Sequence, residues 1–352
     1  MENVAAIALK PQMELAEDVI DYQGKVIMKK NTVLDIHMIK KIQAHSITIV
    51  SIKEDEDYVP TYFEKLKVSK AFKQFEDVYA TNFVAWKVAV DSFIYKKVPM
   101  NNSDLLKLTN NIITPFARQK STIIEMLYVL QHDETDMTYS HCLNVALLCN
   151  TFGYWLKFDE EKLNTLILCG FYYDIGKFLL PHDIIWKKEK LSNLEFDLVK
   201  THAFHGYHII KNLDIDDHIK QAALMHHERC DGSGYPQKLA LSEIDSYAKM
   251  IAILDSYEAM TSFRSYREPM CPFKVISIFE NEGLQKYDAG YIMTFLERMV
   301  EEYMNKQVKL SDGREGVVIF INKQNLSRPM VRCGDDYVDL AQNKSLSIES
   351  LL

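Results

Sequence analysis

Apolar and polar residues repeat with different periods along the chain, and the periods divide its first third into two segments. In residues 1–54, short β-branched runs at 26–28 and 47–50 flank a stretch with apolar residues at helical spacing. This combination predicts a small N-terminal α+β module. The acidic run 54–57 predicts a solvent-exposed linker, and the segment 55–120 keeps, from residue 58 onward, a helical spacing that is broken only at prolines. This segment is predicted to be a helical linker or a dimerisation segment.

The rest of the chain contains a long helical segment and a short β-like segment. Residues 121–306 repeat the helical spacing in successive runs, as in His141, Val145 and Leu148 at positions i, i+4 and i+7. Residues 307–352 change to strand-like runs around a turn at 311–313, with further runs at 331 and 337–340. The predicted fold is therefore mainly α, a helical bundle with a small N-terminal α+β module and a small C-terminal β appendage.

The glycine content supports the helical prediction. The chain has 12 glycines and 9 prolines in 352 residues, and the 128 positions between Gly24 and Gly153 contain no glycine. So few turn-forming residues exclude an all-β or collagen-like protein. Two glycines lie close together at Gly232 and Gly234, which indicates a loop with a special backbone path.

Charge and cysteine content limit the kind of partner and the compartment. With 41 basic and 49 acidic residues the net charge is −8, which argues against a nucleic-acid polymer as partner. The six cysteines form no CxxC pair and are expected to be free thiols in a reducing cytosol. The sequence shows no signal peptide and no apolar run of about 18 residues. We expect a cytoplasmic protein without a membrane span.

Histidines are concentrated in the long helical segment. Eight of the 11 histidines lie between His141 and His227, and Asp174 and Asp255 fall on apolar helical faces. Imidazole and carboxylate together suit Fe, Mn or Zn. The same ligand types fit a hydrolytic two-metal centre with a bridging hydroxide, in which the metals lie about 3.5–4 Å apart. Any one of these histidines alone is more typical of a core or surface position, so the order and spacing of the whole set carries the interpretation.

That set resembles the HD-GYP family over residues 121–306. The matching positions are His141, then Asp174-Ile175-Gly176-Lys177, then His202, then HHERCDGSGYP at residues 226–236, and finally Asp255. The eleven-residue block at 226–236 is a complete match and is highly specific. The resemblance implies an HD-type helical bundle that hydrolyses cyclic di-GMP to pGpG and often on to GMP.

The resemblance also implies a role for each matching residue. Asp174 would bridge two divalent metal ions, with His202, His226 and His227 on one and His141 and Asp255 on the other. Iron or manganese is the expected metal, with zinc, magnesium and nickel as alternatives. Lys177 would pair with a phosphate and act with Asp174 in catalysis. The residues implied in substrate binding are Lys177, Gly232, Gly234, Tyr235, Pro236, Arg264 and Arg267.

The sequence departs from the family pattern at several positions. Tyr173 occupies the position of the first His in the His-Asp pair, and a phenol with a pKa of about 10 is a poor substitute ligand. Tyr173 is therefore an additional candidate ligand at a weakened metal position. Met137 cannot serve as the extra carboxylate of three-metal members, so two metals are the expected maximum. Lys238 and Leu241 stand where the family has two further glycines.

Two interpretations follow from these matches and departures. The protein is a working cyclic di-GMP phosphodiesterase, which the retained ligands favour. Alternatively, it is a degenerate member that binds cyclic di-GMP or a partner protein as a sensor and hydrolyses little. A homodimer through the glycine-free helical segment and protein partners in signalling are further expectations.

Overall fold

The computed structural model describes residues 2–9, 13–45, 47–53, 61–116, 122–131, 136–187, 189–262 and 269–352. The chain divides into two compact units, Met1–Pro60 and Thr61–Leu352. The predicted acidic linker at 54–57 lies outside the described residues.

The N-terminal unit combines two antiparallel strand pairs with one helix, as the sequence predicts. Strand β1 pairs with β4 and β2 pairs with β3. Asp35 caps the helix by accepting a hydrogen bond from the backbone N–H of Met38 at 2.7 Å. The elements are β1 (Glu2–Ala5), a 3₁₀ turn (Ala6–Ala8), β2 (Val19–Ile20), β3 (Val26–Met28), α1 (Ile36–Ala44) and β4 (Ile49–Ile52).

The second unit begins with helices that lead into an all-helical core. Its helices are α2 (Tyr62–Val68), α3 (Lys70–Lys96), α4 (Asn102–Ile113), α5 (Thr122–Val129), α6 (Met137–Trp155), α7 (Glu160–Tyr172), α8 (His182–Ile185), α9 (Asn193–Ile210), α10 (Asp217–Met225), α11 (Ser246–Thr261), α12 (Pro272–Ile278), α13 (Leu284–Lys286) and α14 (Ala289–Glu301). Short 3₁₀ segments follow α4 and α7, and a π-helical segment (Phe279–Gly283) follows α12.

Helix α6 lies at the centre of this core. Every residue from 140 to 153 is buried, because α3, α4, α5, α7, α11 and α14 all pack against it. A helix enclosed on all sides has no polar face toward solvent, and small residues occur where a neighbouring helix approaches it closely. Gly170 of α7 is one such position, since a Cβ there would lie 2.6 Å from the Cα of Ala146. The central helix carries His141 within this packed environment.

The chain ends in a five-stranded antiparallel sheet that packs on the helical core. The strands are β5 (Gln307–Leu310), β6 (Glu315–Phe320), β7 (Met330–Cys333), β8 (Asp336–Asp339) and β9 (Ile348–Leu351), in the order β8-β7-β6-β5-β9. Val308, Leu310, Val318 and Val331 are fully buried in the same apolar cluster as the helices. The predicted hairpin and β appendage are confirmed, whereas the sequence analysis did not predict β9. Among the described residues, no helix is both long enough and apolar enough to cross a bilayer.

Candidate metal centre

The six predicted metal ligands come from five separate places in the helical core. His141 lies on α6, His202 on α9 and Asp255 on α11, while His226 and His227 directly follow α10. Helical spacing placed Asp174 on α7, but α7 ends at Tyr172. Asp174 lies in the turn that precedes the 3₁₀ segment Ile175–Leu179.

These residues form two groups of potential ligands that share Asp174. One group contains Asp174, His202, His226 and His227, and the other contains His141, Asp174 and Asp255. Within each group the ligand atoms all lie within 4.8 Å of one another. Two groups of imidazoles and carboxylates with a common carboxylate are the donor set of a centre that holds two neighbouring divalent ions.

Asp174 is fully buried, and its surroundings are electropositive. Its Oδ2 lies 2.5 Å from Nζ of Lys177, and its Oδ1 lies 3.2 Å from Nε2 of His202. Neither oxygen makes a hydrogen bond of regular geometry to another described residue. Burial by itself would raise the pKa of Asp174, but Lys177 and the imidazoles of His202 and His226 hold it well below its usual range. A buried, ionised carboxylate with unsatisfied oxygens fits the role of a shared metal ligand.

His141 lies between two acidic side chains. Its Nε2 is 2.9 Å from Oδ1 of Asp255 and 3.6 Å from Oδ2 of Asp174, while its Nδ1 donates to Glu258. Burial alone would lower the pKa of His141, but the carboxylates of Glu258 and Asp255 together have the larger effect and raise it to about 9. The ring is therefore an imidazolium that donates from both nitrogens, and a divalent ion would replace the proton on Nε2.

Burial disfavours the charged form of two of the other imidazoles, those of His202 and His227, and the neutral form is the one that metal ligation requires. Burial lowers the pKa of His202, and burial together with His226 and His202 lowers the pKa of His227 strongly. Nε2 of His202 lies 3.1 Å from Nε2 of His226, so the two ring nitrogens face the same point. Nδ1 of His226 donates to the backbone carbonyl of Ala222 at 3.0 Å, which leaves Nε2 available as a ligand atom.

Tyr173 is fully buried beside the second group of ligands. Its hydroxyl donates to Oδ1 of Asp255 at 3.3 Å, and its ring makes edge contacts with His141 and His226. Burial and then the nearby Asp255 raise the pKa of Tyr173 well above its usual value. The phenol is thus a neutral hydrogen-bond donor to a ligand.

Comparison with known proteins places this arrangement in a family. The HD domain family matches residues 102–290, just over half of the chain. The chain belongs to the HD domain family. The family relationship predicted from the histidine and aspartate motifs is thereby confirmed, and so is the HD-type helical fold.

Curated relatives of this HD domain protein include several phosphodiesterases. A cyclic di-GMP phosphodiesterase of Pseudomonas aeruginosa is 29% identical over 226 residues, covering 64% of this chain and 54% of that protein. A cyclic di-GMP phosphodiesterase of Thermotoga maritima is 30% identical over 194 residues, covering 54% and 53%. A 3'3'-cGAMP-specific phosphodiesterase of Vibrio cholerae is 31% identical over 175 residues, covering 48% and 41%. The chain spans about half the length of the curated relatives it matches.

A solved structure shows the same fold. An HDG"Y"P protein from Bdellovibrio bacteriovorus aligns with a TM-score of 0.52 at 13% identity. The alignment covers 85% of this chain and 99% of that chain.

In this HD domain protein, the glycine-containing loop after the histidine pair folds back on the pair itself. A Cβ on Gly234 would lie 2.5 Å from the Cα of Glu228 and from the carbonyl oxygen of His227. The buried carboxylate of Glu228 accepts from the backbone N–H groups of Gln237 at 2.6 Å and Leu239 at 3.0 Å. The loop is thus fixed close to the backbone of His227.

The loop also places the aromatic ring of Tyr235 against His227, one of the candidate ligands. The ring of Tyr235 stacks on that of His227, with 4.6 Å between the ring centroids. Packing against a rigid ring restricts the orientation of His227. Pro236, which follows, is exposed.

A cavity of about 380 Å³ opens next to the two ligand groups. Its charged and titratable lining residues are His141, Lys177, His227 and Asp255. The rest of the lining consists of Thr138 and of mainly apolar side chains, which are Met137, Ile184, Ile185, Trp186, Leu191, Val199 and Ala259. The loop residues Gly232, Gly234, Tyr235 and Pro236 do not line this cavity, and Arg264 and Arg267 lie outside the described residues. Their predicted contacts with substrate stay predictions.

Sequence reasoning missed three residues that the structure places at the site. Glu258 accepts from His141, Glu228 holds the loop, and Trp186 lines the cavity. Glu228 belongs to the block at 226–236, where it had no assigned role, and Glu258 follows the candidate ligand Asp255 by three residues. Trp186 directly follows the short helix α8, and nothing in its local sequence indicates a cavity.

Proposed function

We propose that this HD domain protein is a metal-dependent phosphodiesterase that hydrolyses cyclic di-GMP to pGpG or GMP. The observation that carries the proposal is the pair of ligand groups that share the buried carboxylate of Asp174 beside a cavity. Phosphodiester hydrolysis needs a phosphate clamped between positive charges, and this arrangement can supply them.

Each of the two ligand groups would hold one divalent ion. His202, His226 and His227 would hold one divalent ion and His141 and Asp255 the other, with Asp174 common to both. Iron or manganese best suits mixed imidazole and carboxylate ligands. Such ions, when bound, polarise the phosphate and lower the pKa of water.

Lys177 and the cavity wall would position the substrate. Burial lowers the pKa of Lys177, but Asp174 and Asp255 together raise it above its usual value, so its ammonium stays charged beside the cavity. A charged amine there can pair with a phosphate oxygen. The indole of Trp186, which is 36% exposed, also lines the cavity and offers a stacking surface for a purine.

The relatives support a cyclic dinucleotide as the substrate class. Some are named as cyclic di-GMP phosphodiesterases and others as specific for 3'3'-cGAMP. Since stacking on an aromatic ring tolerates either purine, both compounds belong in the same assay.

The test is a metal-resolved turnover assay with the full chain. The protein is loaded anaerobically with Fe(II) or Mn(II), and products are separated by chromatography beside a chelator-treated control. We expect pGpG or GMP from the loaded protein and none after Asp174→Asn. Asp197→Asn is the matched control, because that carboxylate on α9 is about two thirds exposed and pairs only with its neighbour Lys200 among the contacts described. Binding of cyclic di-GMP without any product would refute hydrolysis and favour the sensor interpretation.

We also propose that the glycine-free segment forms a homodimer. Helix α3 presents Val84, Val88 and Tyr95 on one face, and each side chain is about 60% exposed. Their spacing of four and seven residues repeats the seam of a two-helix interface, which a second copy of the same helix would complete. Signalling partners and a cytoplasmic location remain predictions from the sequence.

A further inference from the structure

A chain of buried polar side chains connects helix α3 with the proposed metal centre. It begins at Tyr79 of α3, passes through Asn144 of α6 and Glu258 of α11, and ends at His141. The exposed fractions of these four side chains are between 0% and 6%. Polar groups buried this deeply are retained only where hydrogen bonds offset the cost of removing them from water.

The direction of each hydrogen bond follows from the chemistry of the groups. The Tyr79 hydroxyl donates to Oδ1 of Asn144 at 2.8 Å. The amide nitrogen of Asn144 then donates to Oε1 of Glu258 at 2.8 Å. The other oxygen of Glu258 accepts from Nδ1 of His141. Because a carboxylate only accepts, Nδ1 must carry the proton, and Nε2 is the atom left for a metal ion.

The packing of Tyr79 fixes the first member of this chain. Its ring lies parallel to Phe83 with 6.0 Å between the centroids, and it also contacts Phe75 at 5.7 Å. The hydroxyl therefore meets Asn144 in one orientation. Ser262, which directly follows α11, also donates to Oε1 of Glu258, so this carboxylate is held by two donors from different elements.

Tyr79 lies outside the region that matches the HD domain family. The match begins at residue 102, whereas α3 ends at Lys96. The segment that the sequence assigns to a linker thus reaches the ligand set through one hydroxyl group.

We propose that Tyr79 is a positioning residue for the metal centre, acting through Asn144 and Glu258 on the orientation of His141. The proposal rests on the proposed metal centre and not on the identity of the substrate. Removing the hydroxyl loosens Asn144, and Glu258 then holds the Nδ1–H form of His141 less firmly. The metal position formed by His141, Asp174 and Asp255 should lose affinity, while the position formed by the three other histidines keeps it.

The test compares two buried tyrosines that each donate to an asparagine. Tyr79→Phe removes the hydroxyl of the chain, and Tyr172→Phe removes a hydroxyl that donates to Asn102 at 2.9 Å. Mn(II) titration by calorimetry should show roughly tenfold weaker binding at one of two sites in Tyr79→Phe. Tyr172→Phe should bind as the unchanged protein does. Thermal unfolding of the metal-free proteins reports any purely structural effect, which should be similar for both variants.

A double-mutant cycle with Glu258→Gln identifies the route. If Tyr79 acts through Glu258, Tyr79→Phe should change Mn(II) affinity little in the Glu258→Gln background. Equal Mn(II) affinity in Tyr79→Phe and the unchanged protein, or additive effects in the cycle, would overturn the proposal. If the unchanged protein binds Mn(II) at both sites but does not hydrolyse cyclic di-GMP, the proposed function is refuted, while the role of Tyr79 is still tested by the affinities of the variants.

Discussion

Asp174 concentrates negative charge at one buried point between five structural elements. The ammonium of Lys177 compensates this charge at 2.5 Å, and Nε2 of His202 and Nε2 of His226 lie 3.2 and 3.6 Å from Oδ1. An uncompensated buried carboxylate would take up a proton, so these neighbours keep Asp174 available as a ligand. Lys177 follows Asp174 by three residues, and the 3₁₀ turn between them brings the two side chains together.

Tyr173 provides the first prediction at the residue scale. Replacing it by histidine should increase the manganese retained per chain, because an imidazole supplies a ligand where the neutral phenol only donates to Asp255. The measurement is metal analysis by mass spectrometry after gel filtration at limiting Mn(II). Tyr173→Phe, which removes only the hydroxyl, is the control. Equal metal content in the histidine and phenylalanine variants would show that position 173 does not limit the site.

The second prediction at the residue scale concerns Trp186. Trp186→Ala should raise KM for a cyclic dinucleotide by about tenfold, since stacking of a base on an aromatic ring contributes about 1–3 kcal/mol, and should leave kcat nearly unchanged. Trp186→Phe should retain most of the affinity. The indole edge contacts His182 with 4.4 Å between ring centroids, so the ring is already held in place.

Two controls separate stacking from a general disturbance of the cavity. Hydrolysis of methyl 4-nitrophenyl phosphate, which has no purine, should be the same before and after Trp186→Ala. Phe204→Ala removes an exposed aromatic ring on α9 that does not line the cavity, and its KM should not change. A loss of kcat for both substrates in Trp186→Ala would contradict a role in base binding.

At the scale of elements, close backbone contacts bring the ligands together. The 3₁₀ segment after Asp174 lies against α9, and a Cβ on Gly176 would approach the backbone nitrogen of Gly206 to 2.6 Å. The two glycines thus allow Asp174 and His202 to lie in adjacent elements within 3.2 Å. The loop at Gly234 uses the same principle to bring Tyr235 against His227.

Gly234→Ala should disrupt the site, and Gly232→Ala should not. The added Cβ at 234 meets rigid backbone at 2.5 Å, so the loop must move and carry His227 with it. A Cβ on residue 232 would lie 3.9 Å from its nearest neighbour. Only the positive φ of +75° opposes this substitution, and an L-residue there lowers the free energy of unfolding by about 1–2 kcal/mol. Urea unfolding and Mn(II) stoichiometry measure both effects. The explanation fails if the two variants lose metal and stability equally.

At the scale of the whole molecule, the proposed dimer gives a prediction that does not depend on catalysis. Val88→Lys introduces a charge in the centre of the exposed apolar face of α3 and should produce monomers in light scattering at concentrations where the unchanged protein is dimeric. Val68→Lys, at an equally exposed valine on α2, should leave the dimer intact. A monomeric unchanged protein at all concentrations would refute this interface.

The sequence by itself determined the elements and most of the candidate ligands. Helical spacing is a local property, because residues three or four positions apart share a face whatever the rest of the chain does. Runs such as His141 to Leu148 therefore predicted helices correctly, and the block at 226–236 indicated the HD-type site. Where the pattern was short, as in β9, or ended within a turn, as at Asp174, local spacing was not sufficient.

Only the tertiary structure decided which residues support those ligands. His141 and Glu258 are 117 residues apart, and Tyr79 and Asn144 are 65 apart, so neither pair has a signal in local sequence. Their contacts arise because α3 and α11 both pack against the central helix α6. Packing sets the distances and burial on which pKa values and hydrogen bonds depend. The sequence therefore indicated which residues are candidate metal ligands, and the packing around α6 determined the orientation and charge of their side chains.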